Sequence, residues 1–439
     1  MKVILLSGGS GKRLWPLSND TRAKQFLKVL KTEDGQLESM VQRVWRQLSS
    51  VGLSKESFIV TGKAQIDILQ SQLGYDVPII IEPEGRDTFP AISLASIYLS
   101  GVVGLGEEEV VTVLPVDSYV DDKFFEKVKE LEKIVNQSDG QLALIGIKPT
   151  YPSTKYGYIV PHEGDGNYFW VKSFVEKPSE HEAVKLIERN ALWNAGIFAF
   201  RLGFLLDLLK AKGYPTEHET FLKQYSMLRK ISFDYEVVEK TKKIIALSYN
   251  GEWKDLGTWN TLTEEMGDLV LGKGIISCDC ENTHLVNELH IPVVVLGLSN
   301  VVVAASPNGI LVTDKVASPR LKDIIHDFNY RPMYEEHCWG WYRVLDYTML
   351  GNGQEVLTKR VFLLAGKNLS YQVHYRRSEI WTIISGEGEF VLNGELHRVR
   401  EGDVLQISAK AEHTIKANTD LEFIVVQRGT ELREGTSPF

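Results

Sequence analysis

From Lys2 to Asn260, short apolar runs alternate with longer segments of helical periodicity. The runs Val3–Leu6, Phe58–Thr61, Ile79–Ile81, Val110–Leu114, Leu142–Ile147 and Phe174–Val175 are predominantly apolar, broken only by Thr61 and Thr112, rather than apolar at every second residue. Strands buried on both faces read this way. Between them, Asp121–Val135 sets Phe124, Phe125, Val128, Leu131, Ile134 and Val135 at helical spacing, with aspartates at its start as caps. The alternation predicts an α/β domain, a Rossmann-like, mostly parallel sheet with helices on both faces. In such a sheet ligands bind beyond the carboxyl ends of the strands. The loops Ser7–Arg13, Glu82–Asp87, Pro115–Asp117 and Glu176–Pro178 all follow predicted strands, so they are expected to open on one crevice.

The pattern changes near Gly274. Up to Asp314 it consists of short β runs broken by turns, as in PVVVLGLSNVVVAASPNGILV. The polar, aromatic stretch Tyr330–Glu336 (YRPMYEE) reads as a boundary. Beyond it, short strands punctuated by Gly386, Gly388, Asn393-Gly394 and Gly402 predict a small all-β barrel, with Asn393-Gly394 as a hairpin turn. Three regions result: residues 1–265, 266–330 and 331–439.

Composition narrows the function classes. The net charge of −9 argues against a nucleic-acid polymer as partner. No apolar run approaches the roughly 18 residues a membrane helix needs. Three cysteines, Cys278, Cys280 and Cys338, are too few and wrongly spaced for a disulfide scaffold or a zinc finger, and read as reduced thiols of a cytoplasmic protein.

The first loop carries the sharpest chemistry. Val3–Leu6 breaks into Gly8, Gly9, Ser10 and Gly11, where the backbone can approach a phosphate, and the cations Arg13 and Lys24 follow. A P-loop is excluded, because Leu6 and Arg13 stand where it needs Gly and Ser/Thr. A dinucleotide fingerprint fails at Leu14. A plain glycine-rich turn remains the bland alternative. The wider motif, GGSGKRLWPLS with KQFL downstream, resembles the signature of sugar-1-phosphate nucleotidyltransferases, in particular the mannose-1-phosphate guanylyltransferases. EPEGRDTFPAI, LPVDSYV, FVEKP, WNAGIFAFR and WKDLGTWN match the same family in the same order.

That resemblance implies transfer of GMP from GTP to mannose 1-phosphate, giving GDP-mannose and pyrophosphate with Mg²⁺. It places Asp117 and Asp255 at metal positions, and Arg13 and Lys24 on the triphosphate. Lys177 falls at the sugar phosphate, and Glu176, Gly157 and Asn194 on the sugar side. The nucleotide would be lined by Leu6, Ser7, Gly8, Gly9, Gly11, Lys12, Pro83, Asp87 and Thr88. Taken alone, Asp117 could equally be a helix cap, and Glu176–Lys177 a solvated pair. Departures from the family pattern fall at Ser7, Lys12, Ala23, Asp87, Phe89, Ser118 and Lys155. Asp87 matters most, because an ionised Asp only accepts hydrogen bonds where the usual Asn also donates. A different base or sugar 1-phosphate is the alternative it leaves open.

Relatives carry a β-helix-like segment in the middle region, so a few coils of that kind, or a β linker, are expected at 266–330. The last region resembles a cupin. Gly366, Gln372, His374, Glu379 and Gly386 follow its first motif, while Gly402 and His413 follow its second, with Ser408 and Lys410 in place of Pro and Gly. Gln372, His374, Glu379 and His413 would hold Zn²⁺ or another divalent transition metal. Otherwise the histidines satisfy ordinary core hydrogen bonds. In bifunctional relatives this domain is a mannose-6-phosphate isomerase. Here Tyr375, Arg376 and Ile380 replace histidines and the chain closes on GTSPF, so isomerase activity is expected to be weak or absent. A sugar-binding barrel, a homodimer interface, or a lapsed, sugar-sensing transferase are the remaining readings.

Overall fold

A computed structural model describes residues 1–9, 11–162, 168–325, 331–430 and 432. Ser10, Tyr330 and the closing GTSPF lie outside the described residues. The chain forms two compact units. One contains Met1–Arg13, Ala23–Ile66 and Leu73–Gly267; the other contains Leu14–Arg22, Asp67–Gln72 and Asp268–Phe439.

The strands of the first unit are β1 (Lys2–Leu6), the small pair β2 (Leu30–Lys31) and β3 (Leu37–Glu38), β4 (Ser57–Gly62), β5 (Ile79–Glu82), β6 (Val110–Pro115), β7 (Ser118–Val120), β8 (Leu142–Ile147), β9 (Tyr158–Pro161), β10 (Phe169–Val175), β11 (Leu192–Arg201), β12 (Ile244–Tyr249) and β13 (Trp253–Asp255). Nine of them form one sheet in the order β5-β4-β1-β6-β11-β8-β12-β10-β9. The sheet is mixed rather than mostly parallel. β5, β4, β1 and β6 run parallel, as does β8 with β12, whereas β11, β10 and β9 run antiparallel to their neighbours. The predominantly apolar runs of β1, β6 and β8 are those buried on both sides.

The unit's helices include α1 (Met40–Ser50), α2 (Ile66–Leu73), α3 (Thr88–Gly101), α4 (Lys123–Gln137), α5 (Glu180–Glu188), α6 (Leu202–Ala211), α7 (His218–Gln224), α8 (Phe233–Glu236) and α9 (Trp259–Glu265), although most of α2 groups with the second unit. The core joins Ile4, Val111, Val113, Phe198 and Phe200 of the sheet to Ile92, Leu205, Phe221 and Phe233 of the helices. α3 is buried on almost every side, which is why its sequence shows no polar stripe. α4 buries the six residues whose spacing predicted it, and the Asp121 carboxylate accepts from the Lys123 amide at its start.

In the second unit β14 (Val270–Gly272), β15 (Gly274–Ile276), β16 (His284–Asn287), β17 (Val293–Val295), β18 (Val301–Ser306) and β19 (Gly309–Asp314) form short coils. β14, β16 and β18 stack in parallel, β15 pairs in parallel with β17, and β19 closes antiparallel on β18. After α10 (Leu321–Ile325) the chain continues as β20 (Tyr334–His337), β21 (Gly340–Met349), β22 (Glu355–Leu363), β23 (Gln372–Val373), β24 (Arg377–Ser385), β25 (Glu387–Leu392), β26 (Glu395–Arg400), β27 (Val404–Ile407), β28 (Glu412–Ala417) and β29 (Leu421–Gly429). These make two antiparallel sheets, β20-β21-β22-β29-β24-β27 and β23-β28-β25-β26, around Trp381, Phe390, Ile415 and Phe423. Asn393 and Gly394 both take positive φ, 50° and 84°, as a tight hairpin between β25 and β26 requires. Two N-terminal segments belong with this unit rather than with residues 1–265. Arg22 meets Glu288 through both terminal guanidinium nitrogens, and the Ser306 hydroxyl donates to the Pro16 carbonyl at 2.7 Å.

Phe200 is fully buried and stacks on Phe233 with ring centroids 5.8 Å apart. Phe200→Ala is expected to destabilise the first unit by about 3–5 kcal/mol, read as a lower urea midpoint for its unfolding transition.

Candidate active site

β1 ends in the glycine loop because its neighbours take hold of the chain there. The Ser7 amide donates to the Val60 carbonyl at 2.9 Å, and the buried Gln25 side-chain amide donates to the Ser7 carbonyl at 2.7 Å. Gln65 donates to the Gly9 carbonyl at 3.1 Å and accepts from Thr61 at 3.0 Å. The Ser7 and Gly9 carbonyls are thereby taken, while the Gly8 and Gly9 amides meet no acceptor among the described residues. Gly11 has φ 57°, and a Cβ there would sit 2.4 Å from the Lys24 amide nitrogen. Only glycine lets Lys24 come so close to the loop.

Lys24 points to the two carboxylates singled out by motif. β7 pairs antiparallel with β13 and places Asp255 opposite Ser118, next to Asp117 at the end of the β6 loop. The Lys24 ammonium contacts the Asp117 carboxylate and lies 3.8 Å from Asp255 Oδ1. Burial works to raise the Asp117 carboxyl, but the charge and hydrogen bond of Lys24, with Arg13 behind, outweigh it and hold it below the usual carboxylate range. Burial also raises Asp255, and there the nearby Asp117 charge adds to it, so Asp255 stays high despite Lys24, Arg13 and Lys155. Burial pulls the Lys24 ammonium down, yet the two aspartates leave it above its ordinary value. One carboxylate is thus balanced in charge and the other is not. Two oxygen-bearing acids with an unmet need for positive charge fit a hard divalent cation such as Mg²⁺.

A second group of residues gathers around Glu176. The β10 loop does not reach the crevice by following a parallel strand, since β10 runs antiparallel to β12. It arrives because β9 pairs both with β10 and with the start of β11, bringing Val175 opposite Tyr158 and Tyr158 opposite Trp193. Lys177 takes φ 47° and its ammonium reaches Glu176 Oε1 at 2.7 Å. Gly157 is packed under this pair, where a Cβ would lie 2.5 Å from Glu176 Oε2. The Asn194 backbone amide donates to the Gly157 carbonyl at 2.8 Å, and its side chain donates to Asp234 Oδ1 at 2.8 Å. Burial, reinforced by the Glu176 charge, pushes the Asp234 carboxyl up to about 7. Burial also raises Glu176, against the pull of Lys177.

The structure therefore collects Arg13, Lys24, Asp117 and Asp255 in one group and Gly157, Glu176, Lys177 and Asn194 in another. Tyr156 stands between them: its ring meets Trp253 at 5.3 Å, its carbonyl accepts from the Lys177 amide at 3.3 Å, and Asp255 helps to raise its hydroxyl after burial. Asp87 caps α3 with φ 71° and its own carboxylate accepts from the Thr88 amide; its charge reaches Glu82, Glu176 and Asp234. The Thr88 hydroxyl accepts from the Phe233 amide at 2.8 Å. Pro83 is exposed, Lys12 and Leu6 are half-buried and Ser7 is buried. Asp234, Tyr156, Gln25 and Gln65 carried no assigned role in the sequence. Gln25 lies within KQFL and Tyr156 within YGYI, but Asp234 follows a Ser cap and reads as an ordinary helix start.

In the barrel, Gln372 pairs opposite His413, and single donor atoms of His374, Glu379 and His413 all lie within 4.8 Å of one another. Glu379 accepts from Arg377 at 2.9 Å, Trp381 at 2.8 Å and Gln427 at 3.0 Å. Burial opposes its ionisation, but Arg377 leads a set of partners that holds it below the usual carboxylate range. His413 Nδ1 faces the Ala411 carbonyl at 3.0 Å, while its buried Nε2 has no hydrogen-bond partner. An imidazole fixed on one nitrogen and orphaned on the other fits a transition metal. The cavity beside it, about 310 Å³, is also lined by Lys359 and Trp339. Tyr375, Arg376 and Ile380 are exposed and lie outside that lining. Lys410, at the family's Gly position, takes φ 71° and its amide donates to the His374 carbonyl at 2.7 Å.

The raised Asp234 carboxyl has a measurable sign. A folded value of about 7, against about 4 when unfolded, means its contribution to stability is present below pH 4 and lost as pH rises through 7. Asp234→Asn keeps the Oδ1 acceptor but cannot ionise. Its urea midpoint is expected to gain on the wild type as pH rises from about 4 to about 7. A difference that stays flat over this window contradicts the buried acid.

The nucleotidyl transferase family profile matches residues 2–270, and a mannose-6-phosphate isomerase C-terminal profile matches residues 323–436. The chain is 31% identical to the xanthan biosynthesis protein XanB of Xanthomonas campestris pv. campestris (strain B100), over 98% of this chain and 96% of that protein. It is 30% identical to a mannose-1-phosphate guanylyltransferase of Salmonella muenchen, with the same coverage. Among solved structures, a Thermus thermophilus protein described as a mannose-1-phosphate geranyltransferase superposes with a TM-score of 0.63 at 27% identity, over 74% of this chain and 98% of that one. With a relative of this identity matched along nearly its whole length, the chain belongs to the mannose-1-phosphate guanylyltransferase family of nucleotidyl transferases.

Proposed function

We propose that the first unit transfers GMP from GTP to mannose 1-phosphate, giving GDP-mannose and pyrophosphate. The observation that carries this reading is the meeting of Asp117 and Asp255, distant in sequence, at the single ammonium of Lys24 beside the glycine loop. Asp117 and Asp255 would hold Mg²⁺, which would supply charge stabilisation at the reacting phosphates. The Gly8 and Gly9 amides, Arg13 and Lys24 bind and orient the triphosphate. Lys177 meets the phosphate of the sugar, while Glu176, Asp234 and Asn194 take its hydroxyls. A sugar-phosphate oxygen attacks the α-phosphorus in line; the new O–P bond forms as the bond to the β-phosphate oxygen breaks, and pyrophosphate leaves. No protein nucleophile is needed. Asp87, at a helix start with its charge felt on the Glu176 side, is the residue through which another base or sugar would be chosen.

Asp117→Asn is expected to lower kcat for pyrophosphate release by at least about 10²-fold, the scale of losing one charge-stabilising group. A panel of GTP, ATP, UTP and CTP against mannose 1-phosphate and glucose 1-phosphate checks the pairing. Turnover only with a pair other than GTP and mannose 1-phosphate overturns the substrate assignment, and undiminished turnover in Asp117→Asn overturns the metal site.

A second activity is favoured by one observation in the barrel. The three residues that replace family histidines are exposed, whereas Gln372, His374, Glu379, Arg377 and Lys359 line the cavity. The ground for expecting a silent barrel is thereby weakened, and interconversion of mannose 6-phosphate and fructose 6-phosphate with Zn²⁺ or a similar ion is the reading. His413→Ala is expected to lose bound transition metal, by elemental analysis, together with any isomerisation. Metal content unchanged by this substitution rejects the ligand set.

A further inference from the structure

The outer face of the barrel carries a cationic pocket that neither site above uses. Three adjacent strands place Tyr334 of β20, Arg343 of β21 and Arg360 of β22 in one row, each opposite the next. The neighbouring row holds Trp341 opposite Phe362, their rings stacked at 5.6 Å and 13°. Two arginines directly opposite each other on one sheet face repel, an arrangement that costs stability unless something anionic compensates it.

The available acids, among them Glu336, whose charge acts on Arg22 together with that of Glu288, leave one of the arginines without a carboxylate. Arg360 is engaged by Glu422, and Arg22 by both oxygens of Glu288 at 2.9 and 3.0 Å. Arg343 is left with a backbone partner, the Glu288 carbonyl at 3.0 Å, and with no carboxylate among the described residues. Its Nε is buried without an acceptor, and so is the Nε of Arg22, a residue only 8% exposed that lies over the Tyr334 ring at 5.3 Å. These side chains and Trp341 line a cavity of about 290 Å³. Buried guanidinium donors left unsatisfied are costly, and their forked geometry suits a phosphate. Trp341, stacked on Phe362 and 6.1 Å from the Tyr334 ring, adds an aromatic wall to the same cavity. The volume lies near the lower limit of small-molecule pockets, about 300 Å³, and so suits a hexose phosphate better than a whole nucleotide sugar.

We infer that Arg343, Arg360, Arg22 and Trp341 form a second binding site for a sugar phosphate, separate from the transferase crevice and from the barrel interior. Its phosphate would take the unsatisfied donors of Arg343 and Arg22, and its ring would lie against Trp341. A sugar phosphate held here would report on the supply of acceptor without occupying the reacting centre.

The test reads binding directly, on the full-length chain. With 5-fluorotryptophan incorporated, ¹⁹F NMR separates the nine tryptophans, and Trp341→Phe assigns the resonance of interest. Titration with mannose 6-phosphate and with mannose 1-phosphate is expected to shift the Trp341 resonance, with at least one binding more than five-fold tighter than inorganic phosphate. Arg343→Gln is expected to weaken that response at least ten-fold, and so is Arg360→Gln, which serves should the first variant fold poorly. Lys177→Ala and His413→Ala are expected to leave it unchanged. A Trp341 resonance that ignores all three probes, or that responds in both arginine variants as strongly as in the wild type, overturns the site. Equal affinity for inorganic phosphate and the sugar phosphates overturns the assignment of a sugar ligand. Because the readout is occupancy and not turnover, its failure leaves the transferase reading standing, and the reverse holds as well.

Discussion

Everything at the transferase crevice depends on one ammonium shared by two carboxylates. Lys24 keeps Asp117 ionised and leaves Asp255 short of positive charge. The rest of the first unit can be read as what it takes to hold that triangle. β6 delivers one acid and the β7–β13 pair delivers the other. Gly11 clears the space for the Lys24 backbone, and Gln25, the next residue, ties the same segment to the end of β1. The loop and the cation therefore move together or not at all.

The second unit solves a different electrostatic problem with a similar device. Glu379 is buried in an apolar barrel and survives as a carboxylate only because Arg377, Trp381 and Gln427 surround it with donors. On the outside of the same barrel three arginines gather, and one of them, Arg343, meets no carboxylate among the described residues. One small β fold thus presents an inward anion and an outward cation excess on opposite faces of neighbouring strands, as the period-two alternation of side chains allows.

Much of this was legible in the sequence, and the reasons are local. Predominantly apolar runs marked β1, β6 and β8 because those strands are covered on both faces. The helix α4 announced itself through an apolar stripe, and Asn393-Gly394 through turn chemistry. Direction was not legible: β10 and β11 have the same apolar content whether parallel or antiparallel, so the mixed sheet had no signal. Asp117, Asp255, Glu176 and Lys177 stood out by motif, but Asp234 did not, since its meaning comes from Asn194, forty residues earlier. The exposed placement of Tyr375, Arg376 and Ile380 could not be read either, because strand β24 and the loop before it decide which way they face.

Strand β11 shifts register against β8 between Asn194 and Phe198, with Gly196 at φ 73° inside the shift. The shift divides the strand between a mostly buried start, which carries Asn194, and the apolar tail that carries Phe198 and Phe200. The packing around Phe198 and Phe200 is thereby set apart from the stretch of chain that holds Asn194 against Asp234.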